Sequence, residues 1–256
     1  MIELTSSSRV VPEKDGGEPM RGEHMKITVV GASGLIGTKV TEQLKSQGHD
    51  VVASSRSTGL DVLTGTGLAE ALTGADALVD VTNSPSFEAD AVMQFFTASA
   101  TNIVEAARQA GVGHYVALSI VGVDGLPDSG YFRAKVAQEK IIVESGIPYS
   151  IVHATQFAEF ADAITESMTV GDEVRVPDAL IQPIPADEVA AAVAQAAAGT
   201  PLNGVVSVGG PQKITFEQMA RDALAEKGDD TKAIIVDPEA RYFGALLETH
   251  SLVTAD

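Results

Sequence analysis

The chain has 256 residues, a formal net charge of −18 and no cysteine. A field of that sign repels phosphate backbones, so direct nucleic-acid binding is not expected. The absence of cysteine excludes a disulfide framework, a thiolate metal site and a cysteine nucleophile.

The composition is 45% hydrophobic, enough for a sizeable core in one α/β domain or two small ones. No segment approaches the ~18 apolar residues that cross a bilayer, so no membrane partner is expected. No basic stretch followed by an apolar one opens the chain, and a cytoplasmic location is expected. Residues 1–24 are polar and rich in Ser, Gly, Pro and Glu, and read as a disordered lead. Residues 25–256 read as a single domain, with Met25 a candidate natural start.

The first strand is Ile27–Val30, a run of β-branched residues that suits a pleated surface. A helix follows, with Leu35, Ile36, Val40 and Leu44 at helical spacing. "HDVVASSR" is a second strand, "LDVLTG" a weakly marked third and "TGLAEALTGA" a helix. "ADALVDVTNS" is apolar on both faces, as a central parallel strand is. A long helix from about Phe87 to Ala110 buries Val92, Phe95, Phe96, Ile103, Val104 and Ala107. "GHYVALSIVG", "YFRAKVAQEKIIVESG" and "PYSIVHA" continue the strand–helix–strand alternation.

Later come short strands in "GDEVRVP" and "ALIQPIP", the alanine-rich helix "ADEVAAAVAQAAAG", the strand "GVVSVGG" and the helix "TFEQMARDALAEKG". Thr215 is its expected N-cap, with Gln218 three residues on. The alternation predicts an α/β fold, a doubly wound parallel sheet of Rossmann type with a small C-terminal substrate-side region.

Gly31, Gly34 and Gly37 sit on the first strand-to-helix turn, in "VVGASGLIG". A helix N-terminus carries unpaired N–H groups and partial positive charge, so this turn is suited to a pyrophosphate. The candidate cofactor residues there are Gly31, Ser33, Gly34, Leu35, Ile36 and Gly37; an ordinary tight turn is the alternative. An acidic residue about 20 positions past the glycines would favour NAD. "ASSRSTG" has none, and Arg56 beside Ser55 suits a 2′-phosphate, which favours NADPH over NADH. Asp61, next to Val62, is placed to accept from the adenine amino group, or is a turn residue. Thr82, Asn83 and Ser84 follow a central strand and are expected at the carboxyl edge of the sheet.

These stretches, with "ATNIVEAARQAGVGHYVALSIVG" and "YFRAKVAQEKIIVESGIPYSIVHATQF" in that order, resemble the atypical short-chain dehydrogenases/reductases, the NmrA-like or NAD(P)H-binding branch. The resemblance covers roughly Met25 to Pro238. It implies a catalytic Tyr131 and Lys135, in a Tyr-x-x-x-Lys motif, and Ser119 twelve residues before the tyrosine. One helical turn apart, Tyr131 and Lys135 share a face. The ammonium is then expected to lower the phenol pKa and to bind the nicotinamide ribose. In the same family Tyr131 can equally be a packing residue while Lys135 holds cofactor.

His153, Ala154 and Thr155 are expected near the nicotinamide, with His153 an alternative acid/base or a packed strand-end residue. Many relatives carry Arg or Pro there. Gln156, Phe157 and Phe160 are expected to line the substrate pocket. No metal site is expected, since the histidines lack ligand spacing. The implied activity is NADPH-dependent reduction of a small carbonyl, quinone or similar flat acceptor. The alternative is a dinucleotide sensor without turnover. The substrate and oligomeric state are not read from these residues.

Overall fold

The computed structural model describes residues 24–255. Residues 1–23 of the expected disordered lead, and Asp256, lie outside the described residues. The first half runs β1 (Lys26–Val30), α1 (Leu35–Ser46), β2 (Asp50–Ser54), α2 (Leu68–Leu72), β3 (Ala77–Asp80), α3 (Ala89–Ala110), β4 (His114–Ile120), α4 (Gly130–Glu144) and β5 (Tyr149–Ala154). The second runs α5 (Ala161–Ser167), β6 (Thr169–Val170), β7 (Glu173–Val176), β8 (Leu180–Ile181), α6 (Ala186–Ala198), β9 (Gly204–Val208), β10 (Ile214–Thr215), α7 (Phe216–Lys227) and β11 (Ala233–Val236).

The main sheet has six parallel strands in the order β2-β1-β3-β4-β5-β9. Its central strands have little solvent contact on either face. Ile27, Val29, Leu78, Val79 and Val116 are fully buried, which is why these strands read as continuous apolar runs. One face is covered by α1 and α6, where Val40 and Leu44 meet Val189, Ala190 and Val193. The other is covered by α2, α3 and α4, with Leu72, Ile103 and Ile142 against Leu78, Tyr115 and Ile151. The alanine-rich α6 thus packs on the sheet, and the Glu159 carboxylate accepts the Ala186 N–H at its N-terminus at 2.9 Å.

The third strand expected over "LDVLTG" is not formed. Gly59, Gly65 and Gly67 are all left-handed, and Asp61 Oδ1 accepts the Leu63 N–H at 2.8 Å, folding the stretch into a turn. Asn102 of α3 donates to the carbonyls of Val62 and Leu63, each at 2.9 Å. The chain therefore passes from β1 to β2 on one side and returns to β3 on the other. That reversal is the topological switch point, where the carboxyl ends of parallel strands leave a crevice.

Beyond β5, two small sheets, β10-β8 and β11-β7-β6, pack with α7 around Val174, Ile181, Phe216 and Leu252. Thr215 caps α7 as expected, accepting the Gln218 N–H at 3.0 Å. The strand β9 returns from this region to form the edge of the main sheet beside β5.

Candidate functional site

The crevice at the β1/β3 reversal is a cleft of about 260 Å³. It gathers residues from three strand ends: Gly31, Ser33 and Gly34 after β1, Ser55, Arg56, Asp61 and Val62 after β2, and Thr82 and Asn83 after β3. All nine were expected cofactor residues. Leu60, Leu63, Val81, Pro85 and Phe95 complete the lining. The position of Phe95 was missed because its helical spacing reads as core.

The glycines have distinct physical causes. Gly31 is left-handed, at φ +91°, and a Cβ there would lie 2.9 Å from the Val81 carbonyl oxygen. A Cβ on Gly37 would lie 2.1 Å from the Gly31 carbonyl oxygen. These two residues let α1 and β3 close on the turn. Gly34 has an ordinary φ of −79° and caps α1 with no side-chain hydrogen bond. No acidic residue occupies the first turn of α1. The helix thus presents uncapped N–H groups, to which Leu35, Ile36 and Gly37 contribute through their backbone.

This cradle fits a dinucleotide. It has a bare helix N-terminus for phosphate and an Arg56 guanidinium beside the Ser55 hydroxyl. Those hydroxyls are organised: Ser55 Oγ lies 2.8 Å from Ser57 Oγ, and the Ser55 N–H donates to Thr58 Oγ1 at 2.9 Å. Thr82 is fixed from below by Asp80, whose Oδ1 accepts from both the Thr82 N–H (3.0 Å) and hydroxyl (2.7 Å). Ser84, expected with them, does not line the cleft; its hydroxyl accepts the Ser86 N–H at 3.2 Å.

Asp80 is only 1% exposed. Its other oxygen accepts from the Tyr115 hydroxyl and from Gln138 Nε2, each at 2.9 Å. A buried carboxylate is tolerated when its lone pairs are met in this way. Gln138 in turn accepts from Lys135 Nζ, which also donates to the Leu118 carbonyl at 2.8 Å. Lys135 is 4% exposed, and burial lowers its pKa to about 8 against the pull of Asp80 and Glu139.

Tyr131 and Lys135 do lie on one helix, but the expected coupling between them is absent. Phe96 packs against both, its ring centroid 4.6 Å from Lys135 Nζ and 5.9 Å from the Tyr131 ring. The Tyr131 phenol is pushed up to about 12 by burial, opposed only by its hydrogen bond to Asn83. Spacing on a helix places two side chains on one face; it does not fix how deeply each is buried. The Tyr131 hydroxyl donates to Asn83 Oδ1 at 2.8 Å and so borders the cleft.

Ser119 and His153 are register partners on β4 and β5. The Ser119 hydroxyl donates to Glu139 of α4, and the same Glu139 oxygen lies 3.0 Å from His153 Nε2. Glu139 was missed; its signal is the four-residue step from Lys135, one further helical turn on. Ala154 is buried in the core, and the Thr155 hydroxyl donates to the Gln182 carbonyl. Gln156 is 8% exposed and neither of its amide atoms has a protein partner. Phe157 packs on the α1/α6 side of the sheet and contacts Phe160, which is half-exposed. No group of three or more His, Asp or Glu side chains suited to a metal occurs among the described residues. No helix among them is long and apolar enough to cross a membrane.

The fold agrees with comparisons to known proteins. Photosystem II assembly factor Ycf39 of Synechocystis sp. is 24% identical over 149 residues, which are 53% of this chain and 46% of that protein. The match therefore spans about half the length of that curated relative. A dTDP-4-dehydrorhamnose reductase ortholog from Clostridium acetobutylicum superposes with a TM-score of 0.66 at 18% identity, over 89% of this chain and 91% of that one. DesIV, a dTDP-glucose 4,6-dehydratase from Streptomyces venezuelae solved with NAD and TYD, gives 0.71 at 17% identity over 88% of each chain. UDP-glucose 4-epimerase from Thermus thermophilus, solved with NAD, gives 0.69 at 17% over 90% of each. At these identities the likeness is one of fold. Residues 31–200 match the NAD(P)H-binding family, and on that match, with the glycine cradle at the β1/β3 reversal, the chain belongs to this family of atypical short-chain dehydrogenases/reductases.

Proposed function

We propose that the chain is an NADPH-dependent reductase that transfers hydride to a small carbonyl, quinone or similar flat acceptor. The observation that carries this reading is the cleft itself. The bare N-terminus of α1 and Arg56 line one cavity with Asn83, and Asn83 holds the Tyr131 hydroxyl at its edge. When bound, the reduced nicotinamide supplies the hydride.

The chain's own residues do the rest. Arg56 and Ser55 hold the 2′-phosphate, and Asp61 accepts from the adenine amino group. Thr82, braced by Asp80, and Asn83 line the path toward Tyr131. Ser84, Ala154 and Thr155 shape the surrounding backbone. Tyr131, with its raised pKa, keeps its proton at neutral pH and would deliver it to an acceptor oxygen, then regain one from solvent; with hydride to the carbon of a simple carbonyl the product would be an alcohol, and with hydride to the opposite oxygen of a quinone, a hydroquinone. Ser119 orients that oxygen, with Glu139 and His153 behind it. Lys135 leaves its internal carbonyl partners for the nicotinamide ribose. Gln156, with both amide atoms free, meets the substrate end, as do Phe157 and Phe160.

A second reading, dinucleotide sensing without turnover, is favoured by one observation. Lys135 and Ser119 both spend their hydrogen bonds inside the protein. The name of Ycf39 as an assembly factor accords with it. Steady-state NADPH consumption against a panel of quinones and carbonyls separates the two. Sustained acceptor-dependent oxidation supports the reductase; tight NADPH binding with no consumption supports the sensor.

A further inference from the structure

The tail brings an unexpected ring to Tyr131. Tyr242 and Ala245 exchange reciprocal backbone hydrogen bonds, at 2.9 and 3.0 Å, closing a two-residue turn at Phe243-Gly244. Both central residues have positive φ, +48° at Phe243 and +85° at Gly244. Such a turn is favoured by Asn-Gly, whereas a bulky residue is strained in the left-handed region. Arg241 Nη1 braces the turn by donating to the Gly244 carbonyl at 2.9 Å.

The turn sets the Phe243 ring against Tyr242 at 4.8 Å and Phe132 at 6.2 Å between centroids, yet leaves much of it open to solvent. Phe243 is 41% exposed, and Phe87, from the segment before α3, is 61% exposed. With Tyr131 they form a triangle of rings: Phe243–Tyr131 at 5.6 Å, Phe87–Tyr131 at 5.7 Å and Phe87–Phe243 at 5.5 Å between centroids. The triangle stands where the cleft ends, because the Tyr131 hydroxyl holds Asn83 of the lining. Exposed rings kept in a strained turn beside a hydroxyl point to a ligand, since strained residues persist where function uses them.

We propose that Phe87, Phe243 and Tyr131 form the seat of a planar aromatic or quinonoid acceptor, the two phenylalanines supplying ring faces and Tyr131 the one hydroxyl of the three. This rests on the reductase reading for its chemistry and on the triangle for its place. Flat rings prefer offset or edge-on contact with such faces. A polyhydroxylated sugar ring would find one hydroxyl among the three side chains and leave its other polar groups unpaired.

The test is calorimetric binding of 1,4-naphthoquinone to the NADP-loaded chain and to Phe243→Gly and Phe87→Ala, alongside NADPH oxidation with the same quinone. Phe243→Gly relieves the strained turn but loses the ring contacts with Tyr242 and Phe132, so its Tm is measured first, and Phe87→Ala, which leaves the turn intact, carries the test if Phe243→Gly is unfolded. Each variant is expected to weaken naphthoquinone binding about 10-fold, the scale of one lost ring contact and its buried area, while NADPH affinity stays. Quinone bound equally by all three proteins, or by none, overturns the seat. Quinone binding that the variants lose, without NADPH oxidation in the wild type, keeps the seat and removes the reductase. Oxidation with an unchanged KM in both variants keeps the reductase and removes the seat.

Discussion

The hydroxyl of Tyr131 donates to the side-chain oxygen of Asn83 at 2.8 Å. One residue belongs to the start of α4, the other to the cleft lining, so this bond joins the proposed proton donor to the cofactor path. Tyr131→Phe removes the donor and keeps the ring contacts. Acceptor-dependent NADPH oxidation is expected to fall about 10²–10⁴-fold, the usual worth of a positioned acid. NADPH affinity, measured by calorimetry on the same protein, is expected to stay within a factor of about three, below the cost of one lost hydrogen bond to a charged group.

Gly34 separates folding from binding. Its φ is ordinary and the nearest atom to an added Cβ is 3.4 Å away, so a side chain fits. An Asp there is a good N-cap and stabilises the fold by a few tenths of a kcal/mol over glycine. The same carboxylate occupies the anion position at the helix start. Gly34→Asp is therefore expected to keep or slightly raise Tm while weakening NADPH binding at least about 10-fold. Gly37→Ala is expected to do the opposite kind of damage, losing about 1–3 kcal/mol of stability by overpacking against Gly31.

In the proposed function Arg56 sets the choice between the two dinucleotides. Arg56→Ala is expected to weaken NADPH about 10- to 100-fold, the worth of a charge-assisted hydrogen bond pair, and to leave NADH nearly unchanged. Parallel titrations with both cofactors check it; equal losses for the two would remove the 2′-phosphate from the role of Arg56.

Lys135 carries a pH signature. Its folded pKa of about 8 lies below the ordinary value of 10.5. Between those values the unfolded chain holds a proton that the folded chain has released, so stability from this group rises with pH across that window. Lys135→Met lacks the effect. Urea unfolding at pH 7.5 and pH 10 is expected to show the stability of wild type relative to the variant rising by about 2 kcal/mol.

The parts of the site set by local backbone were legible in the residues. The run Ile27–Val30 and the helical period after Gly34 place the glycine turn, and the distance from that turn to Arg56 places the guanidinium. The parts set by distant partners were not. Asp80 reads as one more strand residue, yet its carboxylate is met by Thr82, Tyr115 and Gln138, groups that only the folded sheet brings together. The stretch from Leu60 to Gly65 alternates like a strand, but left-handed glycines on both sides outweigh that pattern. Phe243 lies in a tail without periodicity, and its contact with Tyr131 exists only because the C-terminal region folds back.

The edge position of β9 has a practical consequence for anyone shortening the chain. The family match ends at residue 200, and β9 begins at Gly204. A fragment cut at that boundary strips β5 of its neighbour, exposing the backbone of Ile151 and Val152 that now pairs with Val205 and Val206. A freshly bared apolar strand edge recruits other chains. Such a fragment would precipitate even with every cleft residue present, so the solubility of the nucleotide-binding half is written in the residues that follow it.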